Sequence, residues 1–92
     1  MSDHEDYVVY MVQCGDGSLY TGITKQLEKR LAEHRAGKGA KYTRGRNPLT
    51  VRYVEMGLTH SKALRREQVI KRLRRTEKLK LIAAYEGTVL GE

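Results

Sequence analysis

An α/β fold, a small three-stranded antiparallel sheet with helices packed on it in the order β-β-α-β-α-α, is predicted by three features of the sequence. Two short runs rich in β-branched and aromatic residues flank a turn containing Asp16-Gly17. A third such run follows the only proline, Pro48, and the rest of the chain has helical spacing. The expected architecture is a two-layer sandwich, one domain over residues 1–92 with its core at about 7–85.

Tyr7–Gln13 is dominated by valine, tyrosine and methionine and reads as a strand. Cys14-Gly15-Asp16-Gly17-Ser18 is turn chemistry, and Leu19–Thr24 reads as the returning strand of a hairpin. Register decides where the hairpin tyrosines point. A two-residue Asp16-Gly17 turn puts Tyr10 and Tyr20 on opposite faces, whereas a loop one residue longer, or a bulge, puts them together. Thr24 is placed to cap a helix over residues 25–36, stopped by Gly37. Residues 37–48 hold three glycines, four basic residues and the proline, and read as a loop. Val51, Tyr53 and Val54 mark a third strand over residues 50–56. Ser61 is placed to cap a second helix reaching residue 75, and Thr76 a third reaching about residue 85.

Composition narrows the class. With 39% hydrophobic and 32% charged residues, the chain reads as soluble and globular rather than disordered. Its longest apolar run, Val8 to Val12, is too short to span a bilayer, so no membrane partner is expected. The first residues are acidic, unlike a signal peptide, and one cysteine, Cys14, allows no internal disulfide. No Cys/His group has zinc-site spacing, and the reducing cytoplasm is the expected location. The net charge is +7, and its placement says more than its size. All 18 Lys and Arg residues lie between Lys25 and Lys80, against only Glu28, Glu33, Glu55, Glu67 and Glu77. Such a field draws in polyanions, DNA or RNA alike on charge alone.

Polar residues on apolar helix faces identify candidate chemistry. Residues three and four apart share a helical face, so Arg30 and His34 lie on the stripe marked by Leu27 and Leu31. A charge there loses hydration unless a partner or a cleft compensates, or unless the side chain reaches past the core edge to water. In the second helix, Glu67 projects from an apolar arc of Ala63, Leu64, Ile70 and Leu73, and is the sole acid between Thr59 and Thr76. It is placed either to pair with Arg30 or to ligate a metal facing a cleft. One carboxylate with water and phosphate suits Mg²⁺. The tyrosines of the hairpin can hydrogen-bond water or phosphate, and act as bases where positive charge lowers their pKa. The loop cations Lys38, Lys41, Arg44 and Arg46, with Tyr42, suit a nucleic-acid backbone: charge for phosphate and a ring for stacking.

These residues resemble the GIY-YIG endonuclease superfamily. Val8-Val9-Tyr10 stands at the GIY element and Tyr20-Thr21-Gly22 at the YIG element, with Val8 in place of the first glycine. Arg30 follows ten positions after Tyr20, His34 stands where the family often has His or Tyr, and Glu67 matches the metal-binding glutamate. The loop Gly37-Lys-Gly-Ala-Lys-Tyr-Thr-Arg44 is similar to that of the short single-domain bacterial branch. The resemblance implies an endonuclease that hydrolyses DNA phosphodiester bonds, is structure-preferring and is linked to DNA repair. It also implies one divalent ion, Mg²⁺ or Mn²⁺, on Glu67, with Arg30 offsetting phosphate charge. Tyr20 or Tyr10 orients or deprotonates the attacking water, and His34 assists by hydrogen bonding. The alternative is a non-catalytic DNA- or RNA-binding module that retains the fold. The sequence is silent on oligomeric state.

Overall fold

Five consecutive residues, Val8 to Val12, are buried, which requires a central strand covered on both faces. The computed structural model describes residues 5–90 and supplies that cover. β1 (Tyr7–Gln13) lies between β2 (Leu19–Thr24) and β3 (Thr50–Leu58), antiparallel to both. Alternation along β1 sends Val9 and Met11 to one face, against Ala63 and Ile70 of α2 (His60–Lys71) and Ile82 of α3 (Arg75–Leu90). Tyr10 and Val12 point to the other face, where they meet Leu31 of α1 (Leu27–Arg35). The sheet and element order are those expected. The helices divide between both faces, so the layers number three rather than two, because β1 is apolar on both sides.

The hairpin register is decisive for the tyrosines. Gln13 pairs with Leu19, Val12 with Tyr20 and Tyr10 with Gly22, leaving five residues in the connection. That odd count puts Tyr20 on the face of Tyr10. Asp16 shapes the turn: its Oδ1 accepts from the Ser18 amide at 3.0 Å and the Ser18 hydroxyl at 2.6 Å.

Helix starts differ from expectation by a few residues. Thr24 Oγ1 accepts from the Gln26 amide at 3.0 Å, stabilising the turn ahead of α1, and Gln26 occupies the cap without a side-chain bond. Thr59 rather than Ser61 caps α2, accepting from the Lys62 amide at 3.1 Å. α2 ends at Lys71, not residue 75. α3 begins at Arg75, and the Glu77 carboxylate accepts from the Arg74 amide at 2.9 Å, so Thr76 is not its cap.

Candidate functional site

Tyr10, Tyr20 and His34 form one aromatic group on the α1 face of the sheet. The Tyr10 and Tyr20 ring centroids are 6.4 Å apart, and the His34 ring lies 6.0 Å and 5.4 Å from them. Gly22, opposite Tyr10, makes this packing possible. A Cβ there would stand 2.6 Å from the Tyr10 hydroxyl and 2.8 Å from its Cζ. The middle of β2 therefore has no side chain because the phenol occupies the space.

His34 is fully buried and bonded at both nitrogens. Nε2 lies 2.8 Å from the Tyr10 hydroxyl and Nδ1 lies 2.8 Å from Thr43 Oγ1. Thr43 donates to the Ala40 carbonyl at 3.0 Å, which uses its only proton. Keeping both short Thr43 bonds therefore requires Nδ1 to carry the histidine proton, at the expense of the longer 3.3 Å contact from the Ala40 amide. Nε2 is then the bare nitrogen and Tyr10 donates to it. Burial, then the Arg30 charge, pulls the His34 pKa below its ordinary value, with Glu33 opposing, so the ring stays neutral near pH 7.

Tyr10 is pushed up to about 12, first by burial and then by the Tyr20 phenol; Arg30 pulls the other way and Glu67 adds to the rise. It holds its proton at neutral pH. Of the two ways a phenol could serve here, base or hydrogen-bonding group, the second is the one its bond to His34 displays. Tyr20 is half-buried, stacked on Tyr42 at 5.8 Å, and is the more solvent-accessible phenol of the pair.

The two charges singled out by their apolar surroundings both act on Tyr10, Arg30 favouring its ionised form and Glu67 opposing it. Arg30 donates to Glu33 Oε1 at 3.0 Å and keeps a third of its side chain exposed. Glu67 lies between Ala63 and Ile70 on α2, which packs on the edge strand β2, and its side chain is 14% exposed. Its ion pair, 3.2 Å, is with Lys71 one turn along. Arg30 and Glu67 are thus not spent on each other. Among the described residues no group of three or more His, Cys, Asp or Glu could cage a metal. A single, largely buried carboxylate fits a hydrated Mg²⁺ that completes its shell with phosphate oxygen.

The basic segment after α1 is tied down rather than free. Thr43, at the end of a 3-10 turn (Lys41–Thr43), is buried against His34, and the Asn47 side chain donates to the Arg35 carbonyl at 3.0 Å. Gly39 passes so close to the His34 ring that any Cβ would collide with Nδ1. Lys38, Lys41 and Arg44 are exposed with no carboxylate partner among the described residues. Arg46 instead pairs with Asp16 and covers the Tyr42 ring, 4.8 Å from its centroid. Thr43 and Gly39 are the residues that sequence reasoning missed. The only trace was their place in a glycine-rich segment shortly after His34.

The hairpin thus sets Tyr10 opposite Gly22 and Tyr20 on the same face, beside a buried histidine. Residues 6–80 match the model of the GIY-YIG catalytic domain, and the chain belongs to that family. Within it, the chain is similar to UPF0213 protein OB0043 of Oceanobacillus iheyensis, with 54% identity over 89% of this chain and 95% of that protein. A UPF0213 protein of Halobacterium salinarum is 53% identical over 76% of this chain and 91% of its own length. The solution NMR structure of UPF0213 protein BH0048 from Bacillus halodurans aligns with a TM-score of 0.59 at 40% identity, covering 88% of this chain and 86% of that one.

Proposed function

We propose that this protein is a divalent-metal-dependent endonuclease that hydrolyses DNA phosphodiester bonds, prefers flapped or branched forms and serves DNA repair in the cytoplasm. The observation that carries the reading is the placement of Arg30 and Glu67. Both act electrostatically on the Tyr10 phenol, Arg30 favouring its ionised form and Glu67 opposing it, and neither neutralises the other, since Arg30 pairs with Glu33 and Glu67 with Lys71. A binding module has no use for a carboxylate near a cationic site. A phosphodiesterase needs both signs, one for an ion and one for phosphate.

Glu67 would hold one Mg²⁺ or Mn²⁺, which when bound supplies positive charge to the phosphate and the leaving oxygen. Arg30 offsets the charge that builds on the phosphate oxygens. Tyr20, the accessible phenol, orients the attacking water and takes part in removing its proton. Tyr10 and His34 position the group: the His34–Tyr10 hydrogen bond fixes the phenol beside Arg30. Lys38, Lys41 and Arg44 track the DNA backbone, and Tyr42 offers a ring to a base. Arg46 serves as the strut that holds Tyr42 in place. The buried free thiol of Cys14 suits a reducing compartment, and no helix among the described residues is long and apolar enough to cross a membrane.

The test is incubation of purified protein with flapped, branched and linear DNA, with Mn²⁺ or with EDTA. Metal-dependent nicking is expected, abolished by Glu67→Ala while salt-sensitive binding survives. Equal cutting by wild type and Glu67→Ala assigns the activity to a contaminant and ends the proposal.

A further inference from the structure

A cleft of about 360 Å³ opens between Tyr7 of β1, the end of β2 and the first turns of α1. Lys25, Lys29 and Arg30 line it, against a single acid, Glu33, whose carboxylate is bonded to Arg30. Lys25 and Lys29 have no carboxylate partner among the described residues. The exposed Lys25 side chain sets its ammonium over the Tyr7 ring, 5.7 Å from the centroid, on the wall of the cleft. The Thr24 hydroxyl, already accepting from the Gln26 amide, keeps its own proton to donate, and the Gln26 side chain adds further donors. Concavity, two unneutralised ammonium groups and neutral donors make an anion site. Its volume lies at the low end of the range for small-molecule pockets, about 300–1,000 Å³.

Arg30 belongs to both places. Its guanidinium borders Tyr10 on one side and lines this cleft on the other. A nucleic-acid strand with one phosphate at Arg30 continues naturally into the cleft. We infer that Lys25 and Lys29 form a second phosphate subsite, which takes the backbone phosphate adjoining the one at Arg30 and sets the direction in which the strand crosses α1. This rests on the nucleic-acid reading above but not on the chemistry of cleavage.

The test is done in EDTA, so that no cutting is needed. Binding of a short fluorescent DNA duplex is measured against salt for wild type, for Lys25→Gln with Lys29→Gln, and for Lys78→Gln with Lys80→Gln. The last pair removes the same charge from α3, on the opposite face of the sheet. Loss of the subsite makes the slope of log K against log salt shallower by at least about 0.9, the contribution of one released phosphate. The α3 pair leaves the slope unchanged. Equal slope changes for the two pairs, or none for the first, overturn the subsite. As a second measurement, thymidine dinucleotides are titrated with and without an added terminal phosphate. The phosphate tightens binding to wild type, shifting the amide resonances of residues 25–30, and does nothing for the Lys25/Lys29 variant. No gain in wild type also overturns the subsite. Absence of nicking with Mn²⁺ would leave both results standing, so this inference and the nuclease reading fail separately.

Discussion

Gly22→Ala isolates the close approach on which the site is built. The new Cβ would sit 2.6 Å from the Tyr10 hydroxyl, 2.8 Å from its Cζ and 3.1 Å from Tyr20 Cε2. Comfortable carbon contacts need about 3.5–4.0 Å, so the Tyr10 ring must retreat by roughly an ångström. It has nowhere to go, being 1% exposed and bonded to a fully buried histidine. Overpacking of this kind costs ~1–3 kcal/mol. Stretching the Tyr10–His34 bond adds ~1–3 kcal/mol if the buried nitrogen loses its donor. A total of ~2–6 kcal/mol is expected, which at an m-value of ~1–3 kcal/mol/M lowers the urea midpoint by about 0.7 M or more. The assay is urea unfolding of four proteins: wild type, Gly22→Ala, Tyr10→Phe and the double variant. Because removal of the hydroxyl relieves part of the clash, Gly22→Ala costs less in the Tyr10→Phe background. A destabilisation below ~0.5 kcal/mol, or equal costs in the two backgrounds, refutes the steric reasoning.

Tyr20→Phe leaves stability close to wild type and slows nicking by about 10²-fold or more, whereas Tyr10→Phe costs ~1–3 kcal/mol of stability; unfolding and nicking assays on both reverse the assignment if the effects are exchanged. His34 has a folded pKa below its ordinary 6.5, so the unfolded chain takes up the proton first as pH falls. Stability from this group is full above about pH 6.5 and is lost as pH falls from there toward the folded pKa. Urea midpoints at pH 7.5 and 5.5 read this directly, and His34→Gln flattens the difference. Thr43→Val removes the acceptor for His34 Nδ1, so the ¹⁵N shifts of the imidazole lose the Nδ1–H pattern, while Thr43→Ser keeps it. An Nε2–H pattern in wild type overturns the proton order.

Much of the local structure was legible because it depends on neighbours in sequence. The bounds of β1 and β2 follow from residue type and from turn residues at Asp16-Gly17, and both match the structure. The stripe of Leu27, Arg30, Leu31 and His34 follows from helical periodicity, as does Glu67 between Ala63 and Ile70, whereas Leu64 is exposed and Leu73 lies past the end of α2. Caps were less legible. Thr24, Ser61 and Thr76 are all plausible, yet Gln26, Thr59 and the Arg74–Glu77 pair hold the positions, since chain direction on leaving the sheet decides which residue adopts cap geometry.

What sequence could not decide was which of these groups meet. Strand bounds leave five residues between β1 and β2, but residue type does not state whether pairing stops there or continues to a two-residue Asp16-Gly17 turn, and only the register puts Tyr20 on the face of Tyr10. Nothing states that Arg30 chooses Glu33, that Glu67 chooses Lys71, or that Thr43 reaches back nine residues to His34. A side chain's face is set by the dihedrals of its own segment and can be read from spacing. Its partner is set by how separate elements pack, and that is settled only when the whole core excludes water at once.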